Sequence, residues 1–203
     1  MNYFEFFSLP RKLTLDVVAL EKQFYTMSRK LHPDRFAGKP VAEQEAALAQ
    51  SSLLNDAYRT LKDPILRTQY LLKLEGVELE EQSKAATEAA RASGTEKKQV
   101  VPPELLEEVF ELNMQLQEMR MANQMGEEEP ELRRDLMTAK DAFDAKMVET
   151  QAELESLWGV WDAGVDAGDD AVKYRAKDAM VELLNKRSYL RNLVRDVNEA
   201  LGL

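Results

Sequence analysis

The strongest constraint on how this chain can fold is the proline at position 33, set between two runs of apolar residues that each keep a helical period. Upstream, Val17, Leu20, Phe24, Met27 and Leu31 recur at steps of three and four. Downstream, Leu54, Ala57, Tyr58 and Leu61 repeat that spacing just before Asp63-Pro64. Pro33 disfavours helical geometry at His32 and has no backbone N–H to continue a hydrogen-bonded turn. A helix is therefore expected from about residue 15, capped by Thr14 or Asp16, to residue 31, and a second over about 42–62. Between them, Leu31-His32-Pro33-Asp34-Arg35-Phe36 should form the tip of an antiparallel helical hairpin.

The flanking segments complete an all-α pattern. Residues 2–9, Asn-Tyr-Phe-Glu-Phe-Phe-Ser-Leu, are dense in aromatics and predict a short helix or turn packed on the hairpin. Asp63 is suited to N-cap a further helix with Pro64 at its first position, carrying Ile65, Leu66, Tyr70, Leu71 and Leu74 towards Gly76. Residues 78–100 are polar or small, and too few large apolar groups are present to offset ordering entropy. This gives one domain over 1–76, a linker over 77–100 and a second domain over 101–203.

In the second domain, Leu105, Val109, Leu112, Leu116 and Met119 form one apolar seam, broken by Gly126 and Pro130. A longer helix with Leu132, Leu136, Phe143, Met147, Leu154, Trp158 and Trp161 follows, up to Gly164 and Gly168. A third takes Met180, Leu183, Arg187, Leu190, Val194, Val197 and Leu201. Three such segments joined by short breaks predict an antiparallel three-helix bundle. Trp158 and Trp161 read as packing residues, and Glu127-Glu128-Glu129 as a solvated turn placing negative charge where the second helix begins.

Composition narrows the chemistry. Without cysteine there can be no disulfide, thiolate metal site or thiol nucleophile, which fits a reducing cytoplasm. One histidine and one aspartate do not complete a metal site, and no glycine-rich phosphate loop or H-E-x-x-H helix is present. An enzyme is not expected, nor a cofactor. Neither a signal sequence nor a membrane span is expected. The net charge of −10 is uneven: residues 1–75 hold eleven Lys/Arg against nine Asp/Glu, the remainder sixteen against twenty-eight. Phosphate neutralisation needs a basic surface, so nucleic acid is not an expected partner.

The helical hairpin with His32-Pro33-Asp34 at its tip resembles the J-domain of DnaK-class co-chaperones. The additional helix Asp-Pro-Ile-Leu-Arg-Thr-Gln-Tyr-Leu-Leu is similar to that of the HscB-type branch, as is the order of J-domain, linker and acidic helical bundle. The resemblance implies that Asp34 pairs with a chaperone arginine, that Pro33 holds the loop and that His32 orients it. Arg29, Lys30 and Arg35, otherwise readable as a solvated charged face, become a basic surface for an acidic chaperone; Lys22 lies farther from the tip. The implied activity is faster ATP hydrolysis by a DnaK/HscA-type chaperone, with the hydrolytic groups supplied by that partner.

Beside the seam of the first bundle helix lies a second stripe, Leu106 and Phe110 with Met114 beyond, edged by Glu107, Glu111 and Glu118. It either completes the core or forms an exposed docking patch. In HscB-type proteins the start of this helix, with an aromatic of the last helix, binds the iron-sulfur scaffold protein IscU. The resemblance places Leu106, Phe110 and Glu111 on those positions and Tyr189 on the aromatic; Glu107 stands where an apolar residue is usual and Met114 where an acid is common. The implied role is delivery of an IscU-type scaffold to the chaperone in the cytoplasm. A J-protein with another client, or a structural helical adaptor that self-associates, remain the alternatives.

Overall fold

The computed structural model describes residues 1–77 and 101–203, so the linker expected at 77–100 lies, from residue 78 on, outside the described residues. Every regular element among the described residues is helical. The chain divides into two compact units, Met1–Leu79 with Glu155–Asp178, and Glu80–Leu154 with Ala179–Leu203.

In the first unit, α1 (Tyr3–Phe6) is only one turn long and is held at its start by a reciprocal cap. The Asn2 side chain accepts the Glu5 N–H while the Glu5 carboxylate accepts the Asn2 N–H, satisfying two donors a short helix would otherwise leave open. Helix α2 (Val17–Leu31) starts at Asp16, whose carboxylate accepts the Ala19 N–H, and stops at His32, extended at φ −61°, ψ 128° as the following proline requires. A single 3₁₀ turn, Pro33–Phe36, leads to α3 (Val41–Lys62). Asp63 caps α4 (Pro64–Leu74) through the Leu66 N–H at 2.8 Å, as its position before Pro64 predicts.

Helices α2 and α3 run antiparallel. Near their far ends the Phe24 and Tyr58 rings stack at 4.1 Å, the Tyr58 hydroxyl donates to Glu21 at 3.0 Å, and Lys62 pairs with the same carboxylate at 3.7 Å. Tyr3 stacks on Tyr70 at 4.3 Å and donates its N–H to the Tyr70 hydroxyl, fixing α1 on α4. Phe4, Phe7, Leu13, Leu20, Leu54, Leu61, Leu71 and Leu72 are buried. At roughly 1.5–3 kcal/mol for each large apolar side chain, they supply the main favourable term of this unit.

Residues 155–178 belong to this unit through specific bonds. The Asp162 carboxylate is buried and accepts the backbone N–H groups of Leu13 and Thr14 at 2.8 and 2.9 Å. The indoles of Trp158 and Trp161 donate to Thr68 Oγ1 and to the Arg11 carbonyl, both at 3.1 Å. Lys12 pairs with Asp166 at 2.6 Å, and the Arg67 guanidinium lies 4.7 Å over the Trp158 ring while donating to the Leu61 carbonyl at 2.6 Å. Burial lowers the Arg67 pKa, opposed by the charges of Asp63, Glu155 and Asp162. Both tryptophans are therefore packing residues, Trp158 against α4 and Trp161 against the segment before α2, rather than along a bundle seam.

The second unit is built on α5 (Leu106–Met125), α6 (Pro130–Ala167) and α7 (Asp170–Leu201), the last two lending their joined ends to the first unit. Leu105, Val109, Leu112, Leu116 and Met119 are buried together with Leu132, Leu136, Phe143, Leu190, Leu193 and Val197. Gly126, at φ 71°, closes α5 in the left-handed conformation that residues with a Cβ avoid. Cross-links fix the directions. Glu104 meets Lys186 at 3.3 Å and Asn123 donates to the Ala200 carbonyl at 3.0 Å, so α5 and α7 run parallel. Glu108 meets Lys146 at 2.9 Å and Arg133 donates to the Leu201 carbonyl at 3.2 Å, so α6 runs against both.

Candidate functional site

At the hairpin tip, Pro33 prevents α2 from continuing, and the chain closes on itself instead. The Asp34 N–H donates to His32 Nδ1 at 3.3 Å and the Arg35 N–H to the His32 carbonyl at 3.0 Å. This assigns the imidazole its Nε2–H tautomer, with the free Nδ1 lone pair turned to the backbone. The Asp34 carboxylate lies 3.5 Å from the same nitrogen, an ion pair only when the ring is protonated. Its side chain is 88% exposed.

Arg35 folds back, its guanidinium donating to the Arg29 carbonyl at 3.2 Å. That carbonyl belongs to the last turn of α2, where helix carbonyls lack intrahelical partners, so Arg35 both caps the helix and ties the tip to it. The structure thus joins His32, Asp34, Arg29 and Arg35 in one short network, with Pro33 half-buried as its pivot and Lys30 exposed beside it.

Val18, Lys22, Tyr25 and Arg29 stand at helical spacing, and all are exposed on α2. The face that carries Arg29 is accordingly apolar and aromatic as well as basic, with Tyr25 midway between two cations.

In the second unit, the stripe beside the core seam is exposed rather than part of the core. Leu106, Phe110 and Met114 are 55%, 69% and 60% exposed, while Leu105 and Val109 of the same turns are buried. Glu111 is exposed beside Phe110, with Glu107 and Glu118 on the same flank. Lysine pairs hold the base of this surface: Glu104 to Lys186 and Glu108 to Lys146. Its own backbone N–H, with Lys186, holds the Glu104 carboxyl below its ordinary value.

Tyr189 packs half-buried against the core cluster, and burial pushes its phenol above its ordinary value. Because α5 and α7 run parallel and Lys186 meets Glu104, Tyr189, one turn on, lies level with the first turns of α5. Leu106, Phe110, Met114 and Glu111 share one helix, and Tyr189 stands at their height along the bundle. Two further apolar residues, Met121 and Met125, are exposed farther along α5.

The described residues hold no group of three or more His, Asp or Glu placed to bind a metal ion, and no helix among them is long and apolar enough to cross a membrane.

The DnaJ domain family model matches residues 2–70, the part of the chain that carries the hairpin and its tip. The chain carries a J-domain, the class of module that engages Hsp70-type chaperones. Beyond the J-domain, the whole fold is similar to the chaperone HscB from Vibrio cholerae, at 26% identity and a TM-score of 0.60, covering 98% of this chain and 96% of that one. Human co-chaperone protein HscB has the same fold at 23% identity and a TM-score of 0.62, with 100% of this chain and 84% of that one covered. The J-domain marks the chain as a co-chaperone of Hsp70-type chaperones, and its fold over the whole length is like that of HscB.

Proposed function

We propose that this chain stimulates ATP hydrolysis by a DnaK/HscA-type chaperone and delivers to it an IscU-type scaffold protein during iron-sulfur cluster biogenesis in the cytoplasm. In this reading the J-domain over residues 1–76 supplies the chaperone contact. Asp34, exposed at the tip, pairs with a cation of the chaperone; Pro33 and His32 hold it there; Arg29, Lys30 and Arg35 steer the approach of an acidic surface. The chain itself carries no part of the hydrolytic chemistry.

The observation that carries the second half is the exposed stripe Leu106–Phe110–Met114 on a helix whose opposite face is already buried. A helix apolar on both faces has one face without an internal role, and an exposed aromatic flanked by carboxylates matches the make-up of a docking site. Residues 101–203 therefore hold the client, with Leu106, Phe110, Glu111, Met114 and Tyr189 as the contact set. Tethering client and ATPase through two modest contacts raises their effective concentration without any further interaction.

Binding of an IscU-type scaffold to Phe110→Ala/Tyr189→Ala, measured by titration calorimetry, tests this reading. Truncating two aromatic anchors should weaken binding by at least tenfold, since anchors of this kind commonly contribute more than about 1.4 kcal/mol each. Unchanged affinity would assign the bundle a different client.

A further inference from the structure

Four of the nine methionines lie on α5, and they divide sharply. Met119 belongs to the seam and is buried, whereas Met114, Met121 and Met125 are 60%, 52% and 68% exposed. Leu106, Phe110, Met114, Met121 and Met125 follow one another at steps of four, four, seven and four, the spacing of a single helix face. At about 1.5 Å per residue the stripe extends roughly 29 Å along α5, well past the two turns that hold Leu106 and Phe110. More than half of its large side chains are thioethers. A leucine there would give the same apolar surface, but only methionine can be made polar without changing the chain.

We propose that Met114, Met121 and Met125 form a methionine-oxidation site, and that their conversion to sulfoxide closes the outer face of α5 to its client. The oxidant is a peroxide. A sulfur lone pair attacks one peroxide oxygen, the O–O bond breaks as the S–O bond forms, and the oxygen now on sulfur gives its proton to the departing hydroxide, which leaves as water. Sulfur loses two electrons and the peroxide gains them. Each event replaces an apolar thioether by a strongly polar S–O group that keeps its hydrogen bonds to water and resists burial. Three such groups along one face convert most of the stripe from apolar to polar. Burial protects Met119 and Met180, so the core of the bundle keeps its packing while the surface changes. Methionine sulfoxide reductases reverse the reaction, which makes the change a switch rather than damage.

The second half of this proposal rests on the docking reading above, and the test separates the two. The full-length protein is treated with hydrogen peroxide, sulfoxides are located by peptide mass spectrometry, and binding to an IscU-type scaffold is measured before treatment, after it, and after reductase. Sulfoxide is expected first at residues 114, 121 and 125, well ahead of 119 and 180, with at least a tenfold loss of affinity that reductase restores. A Met114→Leu/Met121→Leu/Met125→Leu variant should keep after peroxide whatever affinity it had before, which excludes Met1 and the partly exposed Met137 as the source. Far-UV circular dichroism confirms that helicity survives. Full sulfoxidation at the three positions with unchanged binding overturns the switch and leaves the docking reading intact. The switch is also overturned if sulfoxide forms no faster there than at Met119, or if the leucine variant loses affinity equally. Failure of the untreated protein to bind the scaffold at all removes the docking reading, and the switch with it.

Discussion

Asp162 and Leu13 stand 149 positions apart in the chain, and the buried carboxylate of the first accepts the backbone N–H of the second at 2.8 Å. The same carboxylate accepts the Thr14 N–H at 2.9 Å, so one side chain satisfies two donors in the segment leading into α2. Substituting Asp162→Ala leaves both donors without an acceptor, and at ~1–3 kcal/mol for each stranded donor the loss should be roughly 2–6 kcal/mol. Asp162→Asn keeps one acceptor oxygen in place and should lose about half as much. Urea denaturation of the two variants checks the order; equal, negligible losses would mean the two bonds carry no stability.

Two tyrosines set an alkaline limit. Burial raises the pKa of both Tyr70, which accepts the Tyr3 N–H, and Tyr189, which packs on the bundle core. A raised folded-state value means that the native protein holds these protons more tightly than the unfolded chain. Their contribution is complete below the unfolded value of about 10 and is lost as pH rises through the folded values. Thermal melts between pH 8 and 11.5 should therefore show stability falling from about pH 10 upward, less steeply in Tyr70→Phe/Tyr189→Phe. A melting temperature independent of pH over that window contradicts the assignment.

At the tip, the Asp34 carboxylate is exposed and in the proposed function pairs with the chaperone, while its backbone N–H holds the turn through His32. Asp34→Asn keeps the amide and removes the charge. Chaperone ATPase stimulation should fall at least tenfold while the circular dichroism spectrum stays unchanged. Retained stimulation would remove Asp34 from the contact.

Much of this was legible because its causes are local. Pro33 stops α2 at Leu31, Asp63 and Pro64 start α4, and the Leu105–Met119 seam is buried as its spacing requires. The tip is a 3₁₀ turn rather than an irregular loop, since Pro33 at its first position and the His32 ring at its cap favour that turn locally. In α7, Leu184 and Leu193 are buried while Leu183 and Val194 are only partly so. A helix at 3.6 residues per turn drifts off a seven-residue repeat, and one that packs on two neighbours buries a broader arc. Asp162, Trp158 and Trp161 carried no local signal of their partners, because a carboxylate facing two amides and an indole facing a threonine or a carbonyl leave no trace in residues 90 to 150 positions away. The outward stripe of α5 was visible as residues, but only burial of the opposite face decides that it is surface.

The most direct measurement is the steady-state ATPase of a cognate Hsp70-type chaperone with this protein, with and without an IscU-type scaffold. Stimulation by the co-chaperone alone, multiplied rather than merely added to when the scaffold is present, is the predicted result, since each docking surface then serves the other. Stimulation indifferent to the scaffold would contradict the delivery role, and no stimulation at all would reduce His32-Pro33-Asp34 to a turn.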